Sequence, residues 1–283
     1  MSTAELEFKD ELVEAAGMKI HVTDVGSGDP IVMLHGGGPG ASSMSNFKGN
    51  VDNLVAAGFR LLLVDQPGFG GSSKDLPDGS YFELAAKAVK GVLDAKGITK
   101  SHLLGNSLGG GTAVKVAIDY PEVADRLVLM GPGGAAVNIL TSGDIVESVA
   151  KTVAEFYASP GLESIRRFVD LMVYDSSNIP DSVLEERLAA ATEPEAMAFM
   201  KQLFVKLATD PGKDLWKDVD KIHHRSLLVW GRDDRVLPLD SALLAFHRMP
   251  DVRLVAFSKC GHWVQAEKQE EFDRLVIDFL TAP

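Results

Sequence analysis

Gly105-Asn106-Ser107-Leu108-Gly109 stands between His102-Leu103-Leu104, an apolar run entered through Lys100 and Ser101, and Thr112-Ala113-Val114-Lys115-Val116-Ala117-Ile118, a run of helical character. The pattern reads strand, sharp turn, helix. A serine on such a turn takes a strained backbone conformation that pushes its hydroxyl out of the sheet, and small neighbours relieve the crowding. Gly105, Gly109, Gly110 and Gly111 supply that room. A G-x-S-x-G pentapeptide also arises by chance in glycine- and serine-containing loops. The strand-to-helix setting separates this one from those.

On the N-terminal side, Met18 to Val25 alternates apolar and polar residues and predicts a half-exposed antiparallel strand. Pro30-Ile31-Val32-Met33-Leu34 is apolar throughout, as a strand buried on both faces should be. It runs into His35-Gly36-Gly37-Gly38-Pro39-Gly40, which matches neither nucleotide-binding glycine pattern. A glycine loop after such a strand suits an amide donor of an oxyanion hole, the other donor being the residue after the serine. A helical stretch at Phe47–Ala57 precedes the strand Phe59–Val64, which stops at Asp65-Gln66-Pro67-Gly68. Asp65 could be a catalytic acid, but before Pro-Gly a turn former is the preferred reading. Tyr81–Lys96 has helical spacing.

On the C-terminal side, Arg126–Met130 is a further buried strand closed by Gly131-Pro132-Gly133-Gly134. Strands alternating with helices predict an α/β fold, a mostly parallel central sheet flanked by helices. Between Ala135 and Lys221 the alternation stops, and helical stretches follow at Ile145–Tyr157, Leu162–Val173, Asp181–Ala191 and Pro194–Ala208. Alternation resumes with the strand Ser226–Trp230, the helix Leu239–His247, the strand Arg253–Phe257 and a helix from about Gln265 to Leu280. The expected organisation is therefore an α/β core of residues 1–134 and 222–283, interrupted by an inserted helical cap at 135–221.

Composition narrows the classes. The 283 residues are 46% hydrophobic and 24% charged, with a formal net charge of −12. Such an acidic chain lacks the basic face that phosphate backbones require, so no nucleic-acid partner is expected. One cysteine, Cys260, excludes an internal disulfide and suits a reducing compartment. No secretory leader is read in Met1–Asp10 and no run approaches bilayer length, so a soluble, cytoplasmic protein without membrane contact is the expectation. No metal or cofactor is expected, since the adjacent pair His223-His224 diverges and indicates no third ligand.

A serine hydroxyl needs an imidazole to take its proton and a carboxylate to orient that imidazole. In this kind of fold the chain order is serine, acid, histidine. Trp230-Gly231-Arg232-Asp233-Asp234-Arg235 and Cys260-Gly261-His262-Trp263 each follow a strand after the cap. His262 is the base of choice. His21, His102, His223, His224 and His247 have structural or surface readings, and His35 suits support of the glycine loop. Either Asp233 or Asp234 could be the acid; Asp234, one residue further into its loop, is preferred.

These motifs together resemble the meta-cleavage product hydrolases, α/β-hydrolases that cut a carbon–carbon bond in ring-fission products of aromatic or steroid catabolism. The resemblance spans nearly the whole chain. It is carried by His35–Ala41 with Ser45-Asn46-Phe47, Gly105-Asn106-Ser107, Met130–Gly134, Val173-Tyr174-Asp175, Trp230–Arg235 and Ser258–Trp263. It implies Ser107, Asp234 and His262 as the triad and the Gly37 and Leu108 amides as the oxyanion hole, Leu108 standing where the family often has methionine. It further implies Gly38, Asn46, Asn106, Arg187 and Trp263 as substrate-binding residues for a 2-hydroxy-6-oxo-dienoate. Arg187, in Leu184-Glu185-Glu186-Arg187-Leu188, reads by itself as an exposed helix residue. A fixed guanidinium is nonetheless what an acidic protein needs to grip a carboxylate. A homo-oligomer, dimer or tetramer, is also implied. Two other readings compete: a carboxylesterase with the same triad, which would not need Arg187 or Asn46, and a non-catalytic ligand receptor, which would not need Ser107.

Overall fold

The strand that leads to Ser107 lies inside an eight-stranded sheet in the computed structural model, which describes residues 6–140, 144–177 and 179–283. The strands are β1 (Lys9–Ala15), β2 (Met18–Gly26), β3 (Asp29–Leu34), β4 (Phe59–Val64), β5 (Ser101–Asn106), β6 (Ala124–Met130), β7 (Ser226–Gly231) and β8 (Val252–Phe257). Their spatial order is β1-β2-β4-β3-β5-β6-β7-β8. β1 and β2 run antiparallel to their neighbours, and from β4 onward every pairing is parallel.

The core follows from the period of two along each strand. Val32, Leu34, Leu103, Leu127 and Leu129 face one side, packing with residues of α3 (Tyr81–Ala95) and α4 (Leu108–Asp119). Ile31, Met33, Leu104, Val128 and Met130 face the other. There they meet α1 (Ser43–Phe47), α2 (Val51–Ala56) and residues of the C-terminal helix such as Phe272 and Val276. Both faces are covered, so the central strands read as unbroken apolar runs.

Between β6 and β7 the described residues form four α-helices and no strand: α5 (Asp144–Ala158), α6 (Leu162–Met172), α7 (Asp181–Thr192) and α8 (Pro194–Thr209). They have an apolar cluster of their own around Phe156, Ile165, Phe168, Val169 and Leu184. After β7 come α9 (Ala242–Arg248), then β8, α10 (Val264–Glu267) and α11 (Gln269–Thr281).

Four local expectations change. β1 is an additional strand, pairing with β2 in a hairpin turned at Ala16-Gly17. β2 is mostly buried rather than half-exposed, because the polar Asp24 on it is covered by Arg60 and Lys96 at 2.7 and 2.9 Å. The helix expected over 265–280 is broken at Lys268, whose φ of −126° leaves the helical region. The stretch expected as one helix from Phe47 starts earlier, at Ser43, where Asp65 accepts from the Ser43 amide, and is split by a 3-10 turn at Lys48–Asn50.

β3 positions everything that follows. It has β4 on one side and β5 on the other, so successive connections depart in opposite directions from this point. A crevice opens at the carboxyl ends of the strands where that happens, and ligands bind there in open α/β sheets. Leu34 is in register with Gly105, which places the His35–Gly40 loop beside Ser107.

Candidate active site

Ser107 joins the end of β5 to the start of α4 at φ 53° and ψ −115°, a conformation that costs a non-glycine residue about 1–3 kcal/mol. The surrounding structure holds it there. Ser107 N–H donates to Met130 O at 2.8 Å, and its own carbonyl accepts from Gly111 and Gly133 at 3.0 and 2.8 Å. Gly109 shows why the flank must be small: a Cβ there would stand 2.1 Å from Leu34 O. Leu108 is the first residue of α4, so its amide has no intrahelical acceptor.

His262 and Asp234 come together from the loops after β8 and β7. Both are buried, and His262 Nδ1 lies 2.7 Å from Asp234 Oδ2. The other carboxylate oxygen accepts from Val236 and Leu237 amides at 2.8 and 2.9 Å. The Asp234 oxygen on Nδ1 selects the tautomer with the proton there, leaving Nε2 to face the cavity as the acceptor nitrogen. Nε2 is buried and has no hydrogen-bond partner. Ser107 and His262 border the same cavity without a direct hydrogen bond between them. Catalytic pairs often tighten only once substrate is in place. Asp233 turns elsewhere, accepting from Lys259 N–H at 2.8 Å.

That cavity, of about 600 Å³, is bordered by Gly37, Gly38, Ser107, Leu108 and His262 at one end, and its walls include Phe82, Val153, Phe168, Met172, Leu203 and Leu237. Of the residues that the resemblance marks for substrate, Gly38 alone borders it. Asn106 is fully buried, its amide reaching His262 O at 3.3 Å and its Oδ1 unpartnered. Asn46 sits on α1, its backbone N–H donating to Ser42 O.

Arg187 is held on α7 with its guanidinium carbon 4.8 Å from the Trp263 ring and 5.7 Å from that of Phe168. Its Nε is buried and unpartnered, and among the described residues no carboxylate lies within ion-pair distance. Burial pushes its pKa down to about 10, so at neutral pH it remains a cation. Phe168 connects the two regions, bordering the cavity on one side and meeting Arg187 on the other.

Two buried groups support the glycine loop. His35 Nδ1 donates to Gly36 O at 2.8 Å and Nε2 accepts from Gln66 N–H at 3.0 Å, a neutral imidazole in keeping with a pKa lowered by burial. Asp65 is no mere turn former. It accepts from Ser43 N–H and Oγ, both at 2.7 Å, from Gly71 N–H at 2.9 Å, and pairs with His21 Nδ1 at 2.9 Å. It ties β2, α1 and the 66–71 turn together behind the site. Sequence reasoning also passed over Glu267, a carboxylate that accepts from the Gly261 and Tyr174 amides beside His262. An acid one turn beyond a histidine loop was the only signal. Among the described residues no cluster of His, Cys, Asp and Glu could hold a metal ion, and no helix is long and apolar enough to cross a membrane.

An eight-stranded sheet with a strained serine elbow at its switch point defines an α/β-hydrolase, and residues 29–269 match the family model described as the alpha/beta hydrolase fold. Over 264 residues the chain is 41% identical to a 2-hydroxy-6-oxo-6-phenylhexa-2,4-dienoate hydrolase of Comamonas testosteroni, covering 92% of this chain and 91% of that one. It is 40% identical over 267 residues to a 2-hydroxy-6-oxononadienedioate/2-hydroxy-6-oxononatrienedioate hydrolase of a Pseudomonas, covering 92% and 91%. Among solved structures, a mutant meta-cleavage product hydrolase of Pseudomonas fluorescens complexed with acetates superposes with a TM-score of 0.85 at 30% identity, covering 95% of this chain and 97% of that one. The chain belongs to the meta-cleavage product hydrolase family.

Proposed function

We propose that this protein hydrolyses the carbon–carbon bond next to the distal ketone of a 2-hydroxy-6-oxo-dienoate, with Ser107 as nucleophile, His262 as base and Asp234 as its orienting acid. Family membership supports carbon–carbon bond hydrolysis in general. The observation that carries the finer reading is Arg187, a cation with a buried, unpartnered Nε, behind the Phe168 ring that borders the Ser107 cavity. An ester hydrolase has no use for such a group. A dienoate carboxylate does, because a guanidinium can grip it with two charge-assisted hydrogen bonds.

The carboxylate end is assigned to Arg187, which it can reach only if the Phe168 ring turns aside, and the resemblance adds Asn46, Asn106 and Trp263 to that end. His262 moves the enol proton to carbon, giving the keto tautomer whose conjugated carbonyl can accept electrons. It then takes the Ser107 proton as the oxygen attacks the distal ketone, and the Gly37 and Leu108 amides receive the oxyanion. When the carbon–carbon bond breaks, its electron pair flows to the 2-keto oxygen, which takes a proton and leaves as a 2-hydroxy-dienoate. Water adds its hydroxyl to the acyl carbon and returns its proton to Ser107, releasing a carboxylic acid. The apolar walls around Phe82, Val153 and Leu203 suit an apolar acyl group, phenyl or alkyl.

Replacing Arg187 with Gln tests this against the esterase reading. Losing a charge-assisted pair is worth about 1.5–3 kcal/mol, so kcat/KM for the dienoate should fall about 10- to 100-fold while nitrophenyl ester turnover stays within about twofold. Equal losses on both substrates would favour the esterase.

A further inference from the structure

The loop that carries His262 is fastened to the helical segment as well as to the sheet. His262 N–H donates to Met172 O, at the end of α6, at 2.7 Å. From α10, the half-buried Glu267 carboxylate accepts Gly261 N–H at 2.9 Å through one oxygen and Tyr174 N–H at 2.7 Å through the other. Gly261 precedes the histidine in sequence; Tyr174 belongs to the junction between α6 and α7.

The approach leaves no slack. A Cβ on Gly261 would stand 2.8 Å from Met172 O and 2.9 Å from Tyr174 N. The partners of this contact are those that shape the site. α6 supplies Phe168 and Met172 to the cavity wall, and Trp263 stacks against Arg187. A displacement of α6 therefore pulls on the imidazole through two hydrogen bonds, one made by His262 itself and one through Glu267.

We propose that Glu267 is a positioning residue that clasps the His262 loop to the α6–α7 junction, so that the imidazole is aimed at Ser107 when the helical segment is seated on the sheet. This rests on the reading of His262 as the base. The carboxylate does not reach the reacting atoms; it acts through the Gly261 amide next to the histidine and the Tyr174 amide of the junction. A glutamine is a poor replacement, since one of its two ends presents N–H groups to N–H donors, whereas an aspartate keeps both acceptors but withdraws them by one methylene.

The test compares the full chain with Glu267→Gln and Glu267→Asp. The rate at which a fluorophosphonate labels Ser107 reports base placement without reference to the natural substrate. Dienoate kcat is measured beside it, dienoate affinity is measured in a Ser107→Ala background, and thermal unfolding fixes the folded fraction. A misplacement of about 1 Å costs up to about 100-fold in rate. Glu267→Gln should slow both labelling and kcat by about 10-fold or more with affinity within about twofold, and Glu267→Asp should fall between. Labelling and turnover within twofold of the parent in either folded variant would overturn the proposal, as would losses that only follow the folded fraction or the affinity. If the Gln variant does not fold, the Asp variant is judged by the same criterion. A parent that labels but leaves dienoates intact would refute the proposed substrate alone, and the labelling rates would still decide the clasp.

Discussion

Ser107 holds a positive φ that glycine adopts freely and that alanine or serine adopts only with strain. The strain predicts that Ser107→Gly unfolds with about 1 kcal/mol more free energy than Ser107→Ala in urea titrations, although both lose turnover by about a thousandfold or more. Equal stabilities would mean the elbow is unstrained. The elbow was legible because glycine spacing and the strand-to-helix switch are local. The choice between Asp233 and Asp234 was harder, resting on one residue of loop length, and the structure sets Asp234 on His262 and Asp233 on Lys259. Arg187 was less legible still. Its neighbours Glu185 and Glu186 are exposed, whereas Arg187 is half-buried with its guanidinium against the rings of Phe168 and Trp263, which are distant in sequence.

At the scale of elements, the helix–strand alternation gave β2 to β8 in order, because buried parallel strands are apolar throughout and flanking helices are amphipathic. β1 was missed since Lys9-Asp10-Glu11 is charged and only Val13 and Ala15 of the strand are buried; its partner, not its own pattern, makes it a strand. The close contact between α4 and the end of β3 yields a sharper expectation. Gly109→Ala puts a methyl where Leu34 O stands 2.1 Å away. Overpacking of this kind costs about 1–3 kcal/mol, so its unfolding midpoint should drop by that equivalent. A neutral result would show that α4 can slide away from β3.

At the scale of the whole molecule, Asp65 links layers of the fold and makes stability depend on pH. Burial opposes its ionisation, but the His21 hydrogen bond and the Ser43 and Gly71 amides outweigh it and hold the carboxyl well below its ordinary range. A lowered carboxylate pKa contributes stability that is complete above the unfolded value of about 4 and is lost as pH falls toward the folded one. His21, raised chiefly by its bond to Asp65, has the opposite sign: its share is complete below about 6.5 and fades as pH rises through the folded value. Asp65→Asn should therefore destabilise the protein by about 3 kcal/mol at pH 7, and the gap in urea unfolding free energy should narrow by about 1 kcal/mol at pH 3. A gap independent of pH would place the ionised carboxylate outside the account. In the proposed function the apolar cavity, the strained serine and the half-buried arginine bear on one reaction, and its chromophore gives the most direct test. Conjugated 2-hydroxy-6-oxo-dienoates absorb visible light, so their disappearance can be followed with phenyl and alkyl examples beside a nitrophenyl ester. The account predicts rapid loss of a dienoate by the parent chain and none by Ser107→Ala; ester turnover without dienoate turnover, or dienoate loss that survives Ser107→Ala, would contradict it.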